Sequence, residues 1–423
     1  MASNGRVFLH IGEPKTGTTF LQQVMWGSRR ELAAQGLVLP GHHAQDHFRA
    51  SQDLRGIEKL PSDPAGSWTG EWDILAQQAR QAPQLAVISH ELFSAADPEQ
   101  AARAVHSLQP AEVHVVLTVR DMASLLPAEW QETVKHRNAK SWAGWLSDVI
   151  DRESADADRR QWWFWRVHDT LALLAVWAQH VPAERVHVIT MPSLNARTSV
   201  LWERFAGLLG IDPSSADLTR ARPNASLGMP EIEFLRRLNE KLPDEVPDWF
   251  YMWTVKEGVA HRALADRPRQ GRLVLPADRE AWAKEQAEAL IAGLADSGYQ
   301  VIGDLDELRP RPVSAPGASG AEQQPPDQVL DAAVDAAAAL VVNQYRREHG
   351  RPKGQGGQAA GARRTGRGGL AGRVESAVGA SPWLKRTVRE LSSRYPAVRK
   401  LRIMAWQALE RTRARGNRAQ GRS

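Results

Sequence analysis

A chain of 423 residues, 42% of them apolar, is long enough to bury one large core, and its lack of cysteine excludes a disulfide framework, a thiol nucleophile and a cysteine-ligated metal. No apolar run approaches the roughly 18 residues of a membrane helix, and the opening stretch MASNGRVFLHIGEPK lacks the apolar segment of a signal peptide, so a cytoplasmic location is expected. The net charge of +5 joins two unlike parts: from Arg351 onward 18 Lys and Arg stand against three acidic residues, a segment of +15, and the preceding part carries −10.

Taken in chain order, Val7, Phe8, Leu9 and Ile11 form a β-favouring run, residues 12–19 a glycine-bearing turn, and Phe20, Leu21, Val24 and Met25 recur at helical spacing. Residues 35–40 read as a helix end leading into a short extended run. Residues 41–70, rich in His, Gly, Pro and Asp, read as a loop. A helix is predicted over 72–82. Buried parallel strands follow over 85–89, ending at His90 and Glu91, and over 113–119, ending at Arg120 and Asp121. Helical patterns cover 128–136, 141–150 and, after a charged loop over 151–161, the long stretch 162–180. A strand over 186–190, a helix over 201–209 closed by Gly210, and a helix over 230–242 opened by Pro230 come next. A helix over 278–297 and a run over 299–302 close the body.

Strands alternating with helices predict an α/β domain with a central parallel sheet over residues 1–308. Beyond it, 309–326 reads as a Pro/Ser/Gly-rich linker and 327–349 as an alanine-rich helix. Residues 350–372 read as a disordered Gly/Arg-rich linker and 373–423 as a basic amphipathic tail.

Strand, turn and helix in that order can cradle a phosphate. Gly12 and Gly17 permit unusual backbone angles, the amides of 16–19 can point at an anion, Lys15 adds a cation and the threonines add hydroxyls. The magnesium-binding Gly-Lys-Ser/Thr loop is not present, because Gly17 is followed by Thr18 and the lysine precedes it. Pro14-Lys15-Thr16-Gly17-Thr18-Thr19 instead resembles, at every position, the 5'-phosphosulfate loop of sulfotransferases that use 3'-phosphoadenosine 5'-phosphosulfate (PAPS). The resemblance extends over about residues 6–308, with weaker matches around Trp177, at Leu201-Trp202-Glu203-Arg204-Phe205 and at Gly298-Tyr299. It implies a P-loop nucleoside triphosphate hydrolase-type three-layer fold, PAPS as co-substrate without a metal, and a hydroxyl or amine acceptor on a carbohydrate, lipid or small metabolite.

The resemblance also implies roles. Lys15 would stabilise the leaving 5'-phosphate, which Pro14, Thr16, Gly17, Thr18 and Thr19 would help hold, and Arg120 would bind the 3'-phosphate. The family places a serine eight residues after that arginine; here Ala128 stands there, with Ser124 one helical turn earlier. A structural pairing of Arg120 with Asp121 is the alternative. Glu91 is favoured as the base that takes the acceptor proton, because Glu91-Leu92-Phe93-Ser94 resembles the glutamate version of the family; the adjacent His90 remains the competitor. Asn224-Ala225-Ser226, preceded by Arg222, resembles the Asn-x-Ser stretch of bacterial sulfotransferase-like proteins, so Arg222 and Asn224 are assigned to the cofactor, with capping of the following helix by Ser226 or Asn224 as an equal alternative. Trp162, Trp163 and Trp165 read as core before acceptor contacts. The family's late Gly-rich phosphate motif is not recognisable. That gap and Ala128 favour a second reading, a non-catalytic binding or scaffold protein; a nucleotide kinase comes third. For the tail, an anionic membrane surface and docking onto the acidic body weigh equally, with nucleic acid behind them.

Overall fold

Six strands form one sheet in the computed structural model, which describes residues 5–57, 68–153, 162–193, 196–221, 227–311 and 324–349. They are β1 (Arg6–Gly12), β2 (Leu37–Val38), β3 (Leu85–Ser89), β4 (Glu112–Val119), β5 (Val186–Thr190) and β6 (Gln300–Ile302), ordered β2-β3-β1-β4-β5-β6. Every pairing is parallel. The sequence dictates this: β3 and β5 are buried throughout and β1 exposes only Arg6, and strands covered on both faces need apolar runs rather than alternation.

Helices cover both faces. Val7, Leu9 and Ile11 of β1 belong to a core completed by Leu54, Trp72, Leu108 and Trp177, contributed by the helices Ala44–Leu54, Glu71–Arg80, Pro98–Leu108 and Thr170–Trp177. Phe8 joins the opposite core with Leu21, Val24, Trp202 and Phe205, from the helices Thr18–Gly27 and Ser199–Leu209. A third core lies among the helices Met122–Lys135, Trp142–Glu153, Trp163–His168 and Met229–Lys241, where Trp130, Trp142, Trp145 and Trp165 pack with Ile232 and Leu235. The helix Pro326–His349 adds Ala332 and Ala336 to that third core.

Three expectations need correction. The loop expected over 41–70 contains the helix Ala44–Leu54, whose buried face includes Asp46, His47, Ser51, Gln52 and Asp53. These polar groups find partners inside the fold: Asp46 accepts from the backbone N–H of His42 at 2.8 Å, and Asp53 from that of Trp72 at 2.9 Å. The long helix expected over 162–180 is broken into Trp163–His168 and Thr170–Trp177, with Asp169 capping the second. The helix expected to begin at 128 begins at Met122, capped by Asp121, and runs through Pro127. Residues 312–323 of the linker and everything from 350 onward lie outside the described residues. Among the described residues no helix is long and apolar enough to cross a membrane.

Candidate active site

β1 lies between β3 and β4, so three neighbouring strands deliver three segments at their carboxyl ends: the loop after Gly12, His90-Glu91, and Arg120-Asp121. This point, where the strand order reverses, is the crevice in which open α/β sheets bind ligands. The loop turns through positive φ at Gly12 (113°), Lys15 (61°) and Gly17 (86°). A Cβ on Gly12 would come within 2.9 Å of the Glu91 backbone, and one on Gly17 within 2.4 Å of Leu201 Cδ2, so the glycines allow loop, β3 end and helix to close up. Gly17 starts the ten-residue helix Thr18–Gly27 without a side-chain cap or an acidic residue in the first turn. Its leading amides and positive dipole end therefore suit an anion.

The side chains divide between cleft and interior. Thr16 turns inward: its hydroxyl donates to the Glu13 carbonyl at 2.5 Å and lies 2.6 Å from Thr118 Oγ1. Below it, buried His10 bridges Thr118 and Ser89, and burial lowers its pKa to about 4, so it is neutral. Pro14, Lys15, Gly17, Thr18 and Thr19 line the cleft. Lys15 reaches across it and donates to Glu132 Oε2 at 2.8 Å. Arg120 donates to the Lys15 carbonyl at 3.2 Å, tying the loop to the end of β4. Asp121 accepts instead from the Ser124 N–H, at 2.8 Å. Ser124 and Ala128 both line the cleft. Arg222 and Asn224 lie outside the described residues.

Glu91 and His90 both face the cleft and are differently engaged. Glu91 Oε2 accepts from Gln22 at 3.2 Å. Burial works to raise the Glu91 pKa, but His90, the backbone, Gln22 and Lys15 outweigh it and hold the carboxyl below its usual value. His90 Nδ1 accepts from the Leu92 N–H at 3.2 Å, capping the turn that follows, and burial pulls its pKa down against the pull of Glu91. An ionised carboxylate and a neutral imidazole thus stand side by side.

The cleft spans about 2090 Å³. Eleven Lys and Arg side chains line it against five Asp and Glu, an excess suited to polyanionic ligands although the part of the chain before Arg351 is acidic overall. The tryptophans separate: Trp165 is buried with its indole N–H on the Val149 carbonyl at 3.0 Å, and Trp162 and Trp163 line the cleft.

Two arrangements escaped sequence reasoning. Glu132 is held by Lys15, Lys135, His136 and Lys256, and the histidine and lysines overcome burial to keep its pKa well below the usual range. The spacing of Glu132, Lys135 and His136 along one helix was a legible signal; Lys256 gave none. Behind the loop, the Glu13 carboxylate accepts from Thr170 Oγ1 at 2.5 Å and faces His168 Nδ1 at 3.4 Å, and His168 Nε2 faces Glu129 at the ion-pair distance of 3.7 Å. Burial disfavours a charged His168, but the two glutamates prevail and raise its pKa to about 9.

The amides at the start of Thr18–Gly27, Lys15 and the Arg120 guanidinium beside the loop give the cleft donors of the kind that phosphate groups require. No family model, curated protein or solved structure matches the chain. Function therefore rests on the chemistry of this cleft.

Proposed function

We propose that the protein transfers a sulfuryl group from PAPS to a hydroxyl or amine of an acceptor bound in the cleft, on a sulfotransferase-type P-loop fold. The observation that carries this reading is the meeting of the Pro14–Thr19 loop, Glu91 and Arg120 at three adjacent strand ends. Bound PAPS would supply an activated sulfuryl group whose transfer leaves new negative charge on a 5'-phosphate. Lys15 and the amides at the start of Thr18–Gly27 would hold that phosphate and stabilise the charge as it develops. Thr18 and Thr19 can add hydroxyl donors; Thr16 supports the loop from beneath. Arg120 would take the 3'-phosphate through its guanidinium fork, with Ser124 supplying the nearby hydroxyl that Ala128 lacks. Glu91, kept ionised, would accept the acceptor proton, and His90 would cap the turn that orients it.

One observation favours the second reading, a non-catalytic binding protein: Lys15 is engaged by Glu132. The two readings part on turnover. Full-length protein incubated with isotopically labelled PAPS and a panel of hydroxylated carbohydrates, lipids and small metabolites should release the 3',5'-bisphosphate and label an acceptor, as read by mass spectrometry. Bisphosphate binding with no label transferred to any acceptor would favour the binding protein.

A further inference from the structure

Glu132 sits at the centre of four nitrogen groups brought from three parts of the chain. Its Oε2 accepts from Lys15 at 2.8 Å and Lys135 at 3.3 Å, and its Oε1 accepts from Lys256 at 2.9 Å and faces His136 Nε2 at 3.2 Å. Lys256 and His136 are themselves 2.5 Å apart. Three ammonium groups thus share one carboxylate, and Lys135 is buried. Other acids of the region are engaged elsewhere: Glu129 faces His168, Asp148 pairs with Lys140, and Glu257 pairs with His261. Glu91 and Glu257 act on Lys15 and Lys256 through charge without an ion-pair contact, so among the described residues Glu132 is the carboxylate bonded to all three ammonium groups. Crowded cations withdrawn from water are unfavourable unless paired, so the cluster demands an anion, a place that Glu132 fills in the free protein. All of these cationic groups line the cleft. A carboxylate gripped through both oxygens also shows the donor geometry that a planar or tetrahedral oxyanion requires.

We infer that Lys135, Lys256 and His136 form a second anion site beside the loop, occupied in the free protein by Glu132, which receives a sulfate, phosphate or carboxylate group carried by the acceptor. The word acceptor rests on the proposed sulfuryl transfer; the anion site rests on the geometry alone. The acceptor is then a molecule already negatively charged, gripped by its own anion while its hydroxyl lies toward Glu91. Glu132 leaves its lysines as that anion enters.

Inorganic sulfate is the probe, titrated calorimetrically into the full-length protein at constant ionic strength, with and without saturating adenosine 3',5'-bisphosphate. Sulfate should bind in both cases. Lys256→Gln and Lys135→Gln should each weaken it about tenfold or more, the loss expected for one charged hydrogen bond. Bisphosphate affinity should fall by a clearly smaller factor than sulfate affinity in both variants, since neither lysine belongs to the loop and each reaches Lys15 only through the shared Glu132. Glu132→Gln should tighten sulfate by removing its competitor, and thermal melts identify any variant that fails to fold. Unchanged sulfate affinity in both folded lysine variants overturns the site. Exclusion of sulfate by the bisphosphate, with a parallel loss of bisphosphate affinity in the variants, overturns the acceptor assignment and makes the cluster part of the donor site. If the wild type binds sulfate through these lysines and no bisphosphate, the anion site is upheld and the donor reading alone falls.

Discussion

Lys15 combines a left-handed backbone with an amine drawn onto Glu132, so its position is fixed from both ends. Lys15→Ala should lower turnover on the order of 10²–10³-fold, the cost of losing one preorganised electrostatic contact. Its fold should survive, because Lys135 and Lys256 remain on Glu132. A folded Lys15→Ala variant with wild-type turnover would remove the lysine from the proposed chemistry. For the base, Glu91→Gln should reduce kcat and leave bisphosphate affinity nearly unchanged, since a base acts in the chemical step. The pH profile gives an independent reading. Glu91 must be ionised to accept a proton, so activity rises as pH climbs through its pKa, and its neighbours hold that pKa below 4.5. The acid limb of kcat/KM should therefore lie below pH 4.5. A limb between that value and 6.5, on the low side of the histidine range where burial holds His90, would assign the base to His90 instead.

At the scale of elements, the loop is held by close packing and by a buried charge bridge. Gly12→Ala would press a Cβ to within 2.9 Å of the Glu91 backbone at a φ of 113°, and should destabilise the protein by about 1–3 kcal/mol in chemical denaturation. A melt matching wild type would show that the loop is not packed against the end of β3. The bridge from Glu13 through His168 to Glu129 joins the loop to two helices. His168 has a folded pKa of about 9 against 6.5 for the ordinary side chain. Its protonated form thus stabilises the fold fully below pH 6.5, and the contribution is lost as pH rises through 9. The linkage is worth about 3 kcal/mol, read as a fall in unfolding free energy over that range which His168→Gln should abolish. A pH-independent wild-type stability there would contradict the bridge. The strands after β1 were legible because their apolar runs end abruptly at polar residues such as His90 and Arg120. The helix Ala44–Leu54 was not, since its buried residues are largely polar and only tertiary partners such as the Trp72 amide explain them. Pro127 hid the true start of Met122–Lys135, although Asp121 was available as its cap. The Lys15–Glu132 contact spans 117 residues, a separation at which no local pattern operates.

At the scale of the molecule, charge is unevenly placed: a +15 segment from Arg351 onward, a −10 remainder, and within that remainder a cationic cleft. We propose that the basic segment anchors the protein to anionic surfaces, each basic residue near such a surface contributing about 1 kcal/mol. Full-length protein should co-sediment with anionic vesicles at low salt, and a chain ending at Glu348 should not; equal binding by both, or by neither, would contradict the anchor. The shortened chain should still turn over a soluble acceptor. The proposed transfer requires that the cleft bind a 3',5'-bisphosphorylated nucleotide without a metal. Calorimetric titration of adenosine 3',5'-bisphosphate into the full-length protein, with magnesium chelated, tests it most directly. One site per chain is expected, with a Kd on the order of micromolar, about −8 kcal/mol, and at least tenfold weaker binding in Arg120→Ala. No bisphosphate binding by the folded protein, or binding only of ATP and only with magnesium, would contradict it.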